Sequence, residues 1–317
     1  MHYIVLDLEW NQSPRGKAGK CSGMPFEIIE IGAVKLDENM QAVGQFHEFI
    51  KPAVYRQLHY KTKEILHLDF SELEKCRSFK PVIRDFFEWC GEDYMMCTWG
   101  SMDLTELQRN LVFFRQENPF PKLVLYYDIQ KLFSLLYEDG KSRSSLKDAV
   151  ERLGIPEDIP FHRAIDDTLY TVEVMKHMDL KAVKQYVSVD YFRLPEKKEE
   201  ELHLVFDKYA KDVSRVFPTK EYLMADRGIT STRCYHCGRS LRKKLRWFSP
   251  GGKNYLCLAV CPEHGYMKGK IRLKKAEQGG VFAVKTLKLI SEEEAELIRR
   301  KKKEMEKKKR QKRKAVS

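Results

Sequence analysis

The chain has 317 residues, of which 43% are hydrophobic and 11% aromatic. This is enough material for a sizeable core and, by ordinary domain sizes, for about two domains, so a wholly disordered chain is excluded. Apolar runs stay short of the ~18–20 residues that cross a bilayer, so we expect no membrane span. The first residues read as a strand and lack a basic leader region, which argues against secretion. Most of the cysteines are then expected to be free thiols in a reducing, cytoplasmic compartment.

The net charge of +12 is distributed unevenly along the chain. Residues 1–232 hold 32 Lys/Arg against 38 Asp/Glu, whereas residues 233–275 hold 12 against 1. Residues 299–317 add a second basic block, with 12 Lys/Arg against 2 Asp/Glu. An acidic front followed by a basic back favours an acidic partner for the back half, with nucleic acid as the leading candidate.

The first half of the chain alternates strand and helix patterns. Runs rich in β-branched and aromatic residues predict strands, and apolar residues at three- and four-residue spacing predict helices. In chain order we expect strands at 2–9, 26–36, 41–50, 94–98 and 124–129, and helices near 78–91, 103–115, 130–137, 144–153 and 163–178. This order favours an α/β domain over residues 1–192, in which helices flank a mixed sheet.

The second half is expected to contain three further segments. Residues 193–232 are rich in charge and are predicted to form a helical connector. Residues 233–290 are predicted to form a zinc-ribbon-like β module, with a hairpin around residues 278–280. Residues 291–317 are predicted to form a basic helical tail, because Ser291 and Glu294 make a capping box ahead of the basic run.

Carboxylates end the first predicted strand and begin a later helix. Asp7 and Glu9 stand two residues apart in a strand, so their side chains point to the same face. Adjacent carboxylates repel unless a cation joins them, and Mg²⁺ and Mn²⁺ prefer oxygen ligands. Asp103 enters the helix that follows the strand at 94–98. Each acid alone is compatible with an ordinary surface position.

A histidine and an aspartate frame the start of the last helix of this half. His162 follows a loop punctuated by Pro and Gly, and Asp167 lies about one helical turn further on. A histidine beside a metal-binding aspartate is the arrangement that a general base for water requires. The order Asp, Glu, Asp, His, Asp along the chain is therefore far more specific than any one of its members.

These motifs resemble those of the DEDDh 3′–5′ exonucleases. The three motifs match as Asp7-Leu8-Glu9, Asp103 and His162-x-Ala164-x-x-Asp167, and the resemblance covers about residues 1–185. The segments FEIIEIGAV and TWGSMD are similar to the Eri-type and KapD-like exoribonuclease branch. The acid next to the third motif, Asp166, is interpreted as a helix-start residue, because the family spacing favours Asp167 as the ligand.

The resemblance implies a ribonuclease-H-like fold and metal-dependent hydrolysis of single-stranded nucleic acid from the 3′ end. RNA is favoured as the substrate, with DNA as the alternative. Two Mg²⁺ or Mn²⁺ ions are implied. Asp7 would bridge them, Glu9 and Asp167 would hold the water-side ion, and Asp103 would hold the second. His162 would accept the proton from the attacking water.

Five potential zinc ligands crowd into the basic module. Cys234 and Cys237 form one Gly-terminated knuckle, and Cys261 and His264 form a second of the same shape. This spacing predicts one structural Zn²⁺. Cys257 is expected to be a packed free thiol, although a four-cysteine site that uses it in place of His264 remains open.

Basic and aromatic residues alternate through this module. Phosphate pairing combined with base stacking is how proteins grip single strands. We therefore expect nucleic acid to contact Arg242, Lys243, Lys244, Arg246 and Trp247. The alternative is a small domain that Lys and Arg merely keep soluble.

Two other classes of function compete with an RNA exonuclease. One is a non-catalytic RNA-binding protein that retains a nuclease-like fold. The other is a DNA-directed 3′–5′ exonuclease, since the distinction between RNA and DNA rests on a few contacts to the 2′-hydroxyl. The complete set of five catalytic residues argues against the first.

Overall fold

In a computed structural model the chain forms two compact units, Met1–Arg193 (unit 1) and Leu194–Ser317 (unit 2). The structure describes residues 1–66, 69–121, 124–277 and 279–314. The strands of unit 1 are β1 (His2–Asn11), β2 (Glu27–Leu36), β3 (Ala42–Phe49), β4 (Tyr94–Thr98), β5 (Leu125–Asp128) and β6 (Ser188–Val189). Its helices are α1 (Tyr60–Leu66), α2 (Phe70–Leu73), α3 (Phe79–Cys90), α4 (Met102–Phe113), α5 (Ile129–Tyr137), α6 (Leu146–Leu153), α7 (Ala164–His177) and α8 (Leu180–Val183).

The six strands of unit 1 form one mixed sheet in the order β3-β2-β1-β4-β5-β6. Strand β1 runs antiparallel to β2 and parallel to β4, and β4 runs parallel to β5. The carboxyl ends of β1 and β4 therefore lie at the same edge of the sheet. This is the ribonuclease-H-like arrangement expected from the sequence, and it brings the end of β1 to the start of α4.

Helices cover both faces of this sheet because its central strands are apolar on both sides. On one face, Ile4 and Leu6 of β1 pack with Phe86 of α3 and Leu107 of α4. On the other, Val5 and Val34 pack with Phe133, Val150 and Val174, which belong to α5, α6 and α7. The backbone of β1 is therefore held between two packed layers, which fixes the position of any acid that it carries.

Unit 2 is built on a second sheet of six strands. Its strands are β7 (Leu202–Phe206), β8 (Tyr209–Val213), β9 (Arg242–Gly251), β10 (Asn254–Cys261), β11 (Gly265–Lys275) and β12 (Val281–Leu289). Their order is β7-β8-β12-β11-β10-β9, and each neighbouring pair is antiparallel. The turn between β11 and β12 contains Gln278, which lies outside the described residues. The helices of unit 2 are α9 (Lys220–Ala225), α10 (Arg227–Thr230) and α11 (Glu292–Lys314).

The helical connector predicted for residues 193–232 is wrong over much of its length. Residues 202–213 form the β7–β8 hairpin, and β8 pairs with β12 in the second sheet. Strand β7 alternates in burial with the period of two that a strand requires, and a stacked Phe206–Tyr209 pair closes the hairpin at 4.7 Å between ring centroids. The charged run at 196–201 masked this short pattern. The segment is therefore part of unit 2.

The basic tail begins after Ser291, the cap residue that the sequence suggested. The Ser291 hydroxyl accepts a hydrogen bond from the Glu294 N–H at 3.2 Å, and α11 follows as far as Lys314. Residues 315–317 of the predicted tail lie outside the described residues. Among the helices that the structure describes, none is long and apolar enough to cross a membrane.

Candidate functional site

Three of the predicted acidic ligands meet at the carboxyl end of β1. One carboxylate oxygen from each of Asp7, Glu9 and Asp167 lies within 4.8 Å of the other two. Asp103, in the first turn of α4, is buried beside them and accepts a hydrogen bond from the Leu8 backbone N–H. Asp166 does not belong to the cluster. The donors are all carboxylate oxygens, which suits a hard divalent cation such as Mg²⁺ or Mn²⁺.

A glycine explains how Asp167 reaches β1. Gly32 of β2 pairs with Asp7, and a Cβ at this position would lie 2.2 Å from the Ala164 backbone. The first turn of α7 therefore packs directly on the strand backbone, and the Thr168 hydroxyl donates a hydrogen bond to the Gly32 carbonyl at 3.0 Å. Any side chain at residue 32 would push α7, and Asp167 with it, away from Asp7.

The packing of these carboxylates raises their pKa values. Burial, and then repulsion from Asp103, Glu9 and Asp167, raise the pKa of Asp7 well above its ordinary range. Burial and repulsion from Asp167 raise the pKa of Glu9 to about 8. Burial is also the main reason that the pKa of Asp103 is raised to about 7 and the pKa of Asp167 to about 6. These carboxylates are held together despite their mutual repulsion, and a bound cation would relieve that repulsion.

His162 lies at the mouth of the cluster on an unusual backbone. Its φ is +72°, in the left-handed region that residues other than glycine rarely adopt. Its backbone N–H donates to Asp167 Oδ1 at 3.2 Å, which ties the loop to the cluster. The residue is exposed, so the imidazole can exchange protons with solvent.

A buried ion-pair network next to His162 was not foreseen from the sequence. Glu30 of β2 is fully buried and pairs in register with Glu9. Its carboxylate accepts from Arg163 Nε at 3.2 Å and contacts His47 Nε2 at 2.8 Å. The Arg163 guanidinium lies 4.7 Å from the centroid of the Phe49 ring. This network anchors the residue that follows His162, and the signal available in the sequence was an acid between apolar residues within a predicted strand.

In unit 2 the four preferred zinc ligands converge. Cys234 Sγ lies 3.7 Å from His264 Nδ1, Cys237 Sγ lies 3.7 Å from Cys261 Sγ, and Cys261 Sγ lies 3.5 Å from His264 Nδ1. Ligands about 2.3 Å from a tetrahedral ion are separated by about 3.8 Å for sulfur pairs, and slightly less for sulfur and nitrogen. The spacing therefore fits a single tetrahedral Zn²⁺.

Backbone geometry shapes both knuckles of this cluster. Gly238 and Gly265, which follow the second ligand of each knuckle, have φ values of +68° and +84°. The Gly238 N–H closes the first knuckle on the Cys234 carbonyl at 2.8 Å. Cys257 is fully buried and outside the cluster, with its sulfur against the Gly269 backbone. These positions favour the three-cysteine, one-histidine set.

The predicted nucleic-acid residues of β9 do not all share one role. Arg242, Lys244 and Arg246 are exposed, and Lys243 is half-buried. Trp247 instead packs with the cluster around Ile271, and its indole N–H donates to the Thr230 carbonyl at 2.7 Å. Its expected role as a stacking platform is corrected to a packing role, because α10 covers the indole and uses its hydrogen-bond donor.

Comparisons with known proteins agree with this geometry. The exonuclease family model, RNase_T, matches residues 4–175, more than half of the chain. The chain is 27% identical over 185 residues to the probable 3′-5′ exonuclease KapD of Bacillus subtilis, covering 58% of this chain and 86% of that protein. It is 28% identical over 206 residues to the PolC-type DNA polymerase III of Clostridium perfringens, covering 61% of this chain and 13% of the polymerase.

A solved structure shares the fold of unit 1. The nuclease domain of 3′hExo, a DEDDh family member bound to rAMP, matches with a TM-score of 0.50 at 20% identity, over 60% of this chain and 96% of that domain. The family model spans the strand, helix and loop that supply all five residues of the Asp, Glu, Asp, His, Asp set. The chain belongs to the RNase_T exonuclease family.

Proposed function

We propose that the chain hydrolyses single-stranded RNA from its 3′ end, one nucleotide at a time. The observation that supports this most strongly is the convergence of three half-buried carboxylates and the buried Asp103 beside an exposed histidine at one sheet edge. A protein that only bound RNA would gain nothing from acids that repel one another and repel phosphate. This favours catalysis over the non-catalytic alternative.

The chain's own residues divide the work of hydrolysis. Bound divalent cations would supply Lewis-acid activation of water and neutralise charge on the scissile phosphate. Asp7, at the centre of the cluster, would hold both cations, with Glu9 and Asp167 on the side of the attacking water and Asp103 on the side of the leaving 3′-oxygen. His162 would accept the proton from the attacking water. The Asp167 contact to its backbone N–H sets the position of the loop that bears it.

The choice of RNA is supported by the branch resemblance and by a shared fold with a domain bound to rAMP. DNA is the second candidate, because the matching polymerase is a DNA enzyme by name. The test is digestion of RNA and DNA oligomers of identical sequence, together with a chimera that carries one terminal ribonucleotide. We expect faster digestion of RNA, and a preference for DNA would reverse the assignment.

We also propose that unit 2 binds one structural Zn²⁺ through Cys234, Cys237, Cys261 and His264, and that it holds the nucleic acid strand electrostatically. The tetrahedral spacing of the four ligands supports the first part. The second part is supported by charge, because unit 2 carries 33 Lys/Arg against 16 Asp/Glu, whereas unit 1 carries 25 against 30.

The zinc assignment predicts different outcomes for two neighbouring cysteines. Cys261→Ser should reduce zinc content far below one ion per chain. It should also destabilise unit 2, because the free energy of zinc binding contributes to the stability of the folded unit. Cys257→Ser should leave zinc content unchanged, since its sulfur lies outside the cluster. The measurement is zinc content by mass spectrometry after gel filtration. Loss of zinc in Cys257→Ser would indicate the four-cysteine site.

Cation binding at the carboxylate cluster should depend on pH. Burial and the neighbouring carboxylates raise the pKa of Glu9 to about 8 from its ordinary value of 4.5, so without cations its protonated form is favoured. The contribution of this group to stability is therefore complete below about pH 4.5 and is lost as pH rises towards 8. A cation replaces the proton, so the rise in melting temperature on adding Mn²⁺ should be larger at about pH 8 than at about pH 5.5.

This experiment compares protein dialysed without Mn²⁺ with the same protein after Mn²⁺ is added. A strong chelator is avoided because it would also remove zinc. Asp7→Asn should lose most of the Mn²⁺-dependent rise, and Asp166→Asn should keep it. A rise of equal size at both pH values would contradict the proposed exchange of protons for a cation.

Removal of unit 2 should separate binding from chemistry. A chain that ends at Arg193 keeps all four carboxylates and His162, so turnover at saturating RNA should change little. Its affinity for a single-stranded oligomer should fall, and the salt dependence of binding should become shallower, because the net positive unit is gone. Equal salt slopes for the two proteins would contradict the proposed role of unit 2.

The position of this truncation follows from the structure. A cut at the 232/233 boundary expected from the sequence would separate β8 from its partner β12 and leave the β7–β8 hairpin without its sheet. Exposed strand edges of this kind promote aggregation. The cut after Arg193 instead coincides with the boundary between the two compact units.

A further inference from the structure

A row of basic residues runs along the interior strand β11 of the second sheet. Its alternate residues Met267, Ile271 and Leu273 are buried on one face. The opposite face carries Lys268, Lys270, Arg272 and Lys274. Alternate residues in a strand are about 6.6–6.8 Å apart, so this face presents a straight and regularly spaced series of positive charges. Lys268, Lys270 and Arg272 are called the β11 row below.

The face that carries the β11 row has no acidic residue in the sheet. Asp212 is the single Asp or Glu within the six strands, whose residues the structure describes in full. It pairs in register with Lys285, which pairs with Ile271, so it belongs to the opposite face. There it contacts His203 Nδ1 and forms an ion pair with Lys285 at 2.7 Å. On the row's own face, Lys268 instead lies across from Lys288 of β12.

Helix α11 brings further positive charge to the same face. Its Ala295 and Ile298 pack on Leu256 and Leu258, which lie across from Lys270 and Lys268 of the row. The Arg299 guanidinium donates to the Tyr266 hydroxyl at 3.1 Å, so the basic part of the helix starts beside β11. Partial burial, and then the charges of Arg272, Lys268 and Lys301, lower the pKa of Lys270. Like charges have thus been placed together, at a cost that a bound polyanion would offset.

We propose that the β11 row, with Lys301 of α11, binds successive phosphates of one nucleic acid strand and is the main contact of unit 2 with the exonuclease substrate. This inference rests on the proposed function for the class of partner. The residues that the sequence favoured for that contact were Arg242, Lys243, Lys244 and Arg246 of the edge strand β9, among the other bases of this module. Among the described residues, none of the β11 row has an ion-pair partner, so their charges are available to phosphate.

The chemistry of the face favours a nucleic acid over other polyanions. A membrane surface normally receives exposed apolar side chains as well as bases. Here the apolar neighbours of the row, Leu256 and Leu258, are buried under α11. An acidic peptide would also pair with the bases, so the test includes polyglutamate. A chain of linked phosphates matches a straight series of bases, and nucleic acid is the substrate class of the family to which the chain belongs.

The test measures binding of a labelled single-stranded RNA by the full chain over a range of salt concentrations. An Asp7→Asn background prevents degradation while leaving zinc in place. The row variant combines Lys268→Gln, Lys270→Gln and Arg272→Gln. Its matched control replaces three exposed bases elsewhere in unit 2, Lys208, Lys220 and Arg227, by Gln. A third variant replaces Arg242, Lys244 and Arg246 by Gln.

Loss of three phosphate contacts has a defined size. Each contact to a single strand contributes about 0.7 to the slope of log affinity against log salt, so the row variant should lose about 2 from that slope. At about 0.1 M salt this corresponds to a loss of affinity of about 100-fold. The matched control and a Lys268→Arg, Lys270→Arg variant should keep most of the slope. If the triple variant loses zinc or its folded circular dichroism, Lys270→Gln alone should lower the slope by about 0.7.

Several results would overturn the proposal. One is a row variant that binds like its matched control, and another is a larger loss in the β9 variant than in the row variant. Equal affinity of the wild-type chain for polyglutamate or for anionic phospholipid vesicles would show a general anion surface. Failure of the proposed function gives a different result. If the chain with Asp7 intact degrades no nucleic acid while the row variant loses its salt dependence of binding, the exonuclease assignment is wrong and the binding role of the β11 row is retained.

Discussion

Asp7→Asn should reduce the rate of RNA hydrolysis by about 10³-fold or more. Asp7 lies at the centre of the cluster, within reach of Glu9 and Asp167, and Asp103 is among the groups that raise its pKa. Metal ions that clamp a phosphate contribute several kcal/mol of transition-state stabilisation, and loss of their shared ligand should remove most of it. Asparagine keeps the size of the side chain, so binding of RNA should be retained. The measurement is initial rate with Mg²⁺ or Mn²⁺ at saturating RNA.

The control for this variant is Asp166→Asn. Asp166 neighbours Asp167 in the first turn of α7 but does not belong to the ligand cluster. It should keep nearly the full rate, because the charge that it removes is not a ligand. An Asp7→Asn protein that hydrolyses RNA at the wild-type rate would place the active site elsewhere in the chain.

His162→Ala should reduce the rate by about 10²- to 10⁴-fold, the usual contribution of a general base. The increase in rate with pH that depends on the neutral imidazole should disappear as well. His162 has a positive φ, so alanine there also strains the loop. His162→Asn is therefore the sharper variant, because asparagine tolerates the left-handed conformation and cannot act as the base.

The pH dependence of the rate distinguishes the two roles that His162 could have. His177→Ala, at the exposed end of α7, serves as the histidine control and should keep both the rate and the pH profile. If His162→Asn loses rate but keeps the pH profile of the wild-type protein, His162 positions the loop and another group takes the proton.

The fold of unit 1 was predictable because its signals are local. Strand and helix periods were legible in long segments, and Asp7 and Glu9 at the end of β1 followed from the period of two. The β7–β8 hairpin was missed because two five-residue strands follow a run of charged residues that is typical of a connector. Their identity depends on pairing with β12, about 70 residues later in the chain, and no local pattern contains that information.

The ligands of the candidate site were predictable from the sequence, but the residues that hold those ligands in place were not. Asp7, Glu9 and Asp167 come together as their motifs suggested. The buried network of Glu30 with Arg163 and His47 depends on the register of β1 with β2 and of β2 with β3. The pairing register is set by tertiary contacts. The sequence therefore showed that Glu30 lies among apolar residues but did not identify its partners.

Dependence on strand pairing also explains why the role of Trp247 was predicted wrongly and why the β11 row was not singled out. A Trp among bases is typical of a nucleic-acid surface, but the side that Trp247 takes depends on irregularities in the pairing of β9 with β10. The bases of β11 were visible in the sequence. That they share one face without an acid became evident only from the sheet order.

The central claim is that the carboxylate cluster removes nucleotides from a free 3′ end. The most direct measurement is a time course on a 5′-labelled single-stranded RNA, with its 3′ end free or blocked, in the presence of Mn²⁺. We expect the free end to give a ladder that shortens by one nucleotide at a time, the blocked end to resist, and Asp7→Asn to leave both intact. Equal cleavage of blocked and free RNA, or internal cuts that persist in Asp7→Asn, would contradict the account.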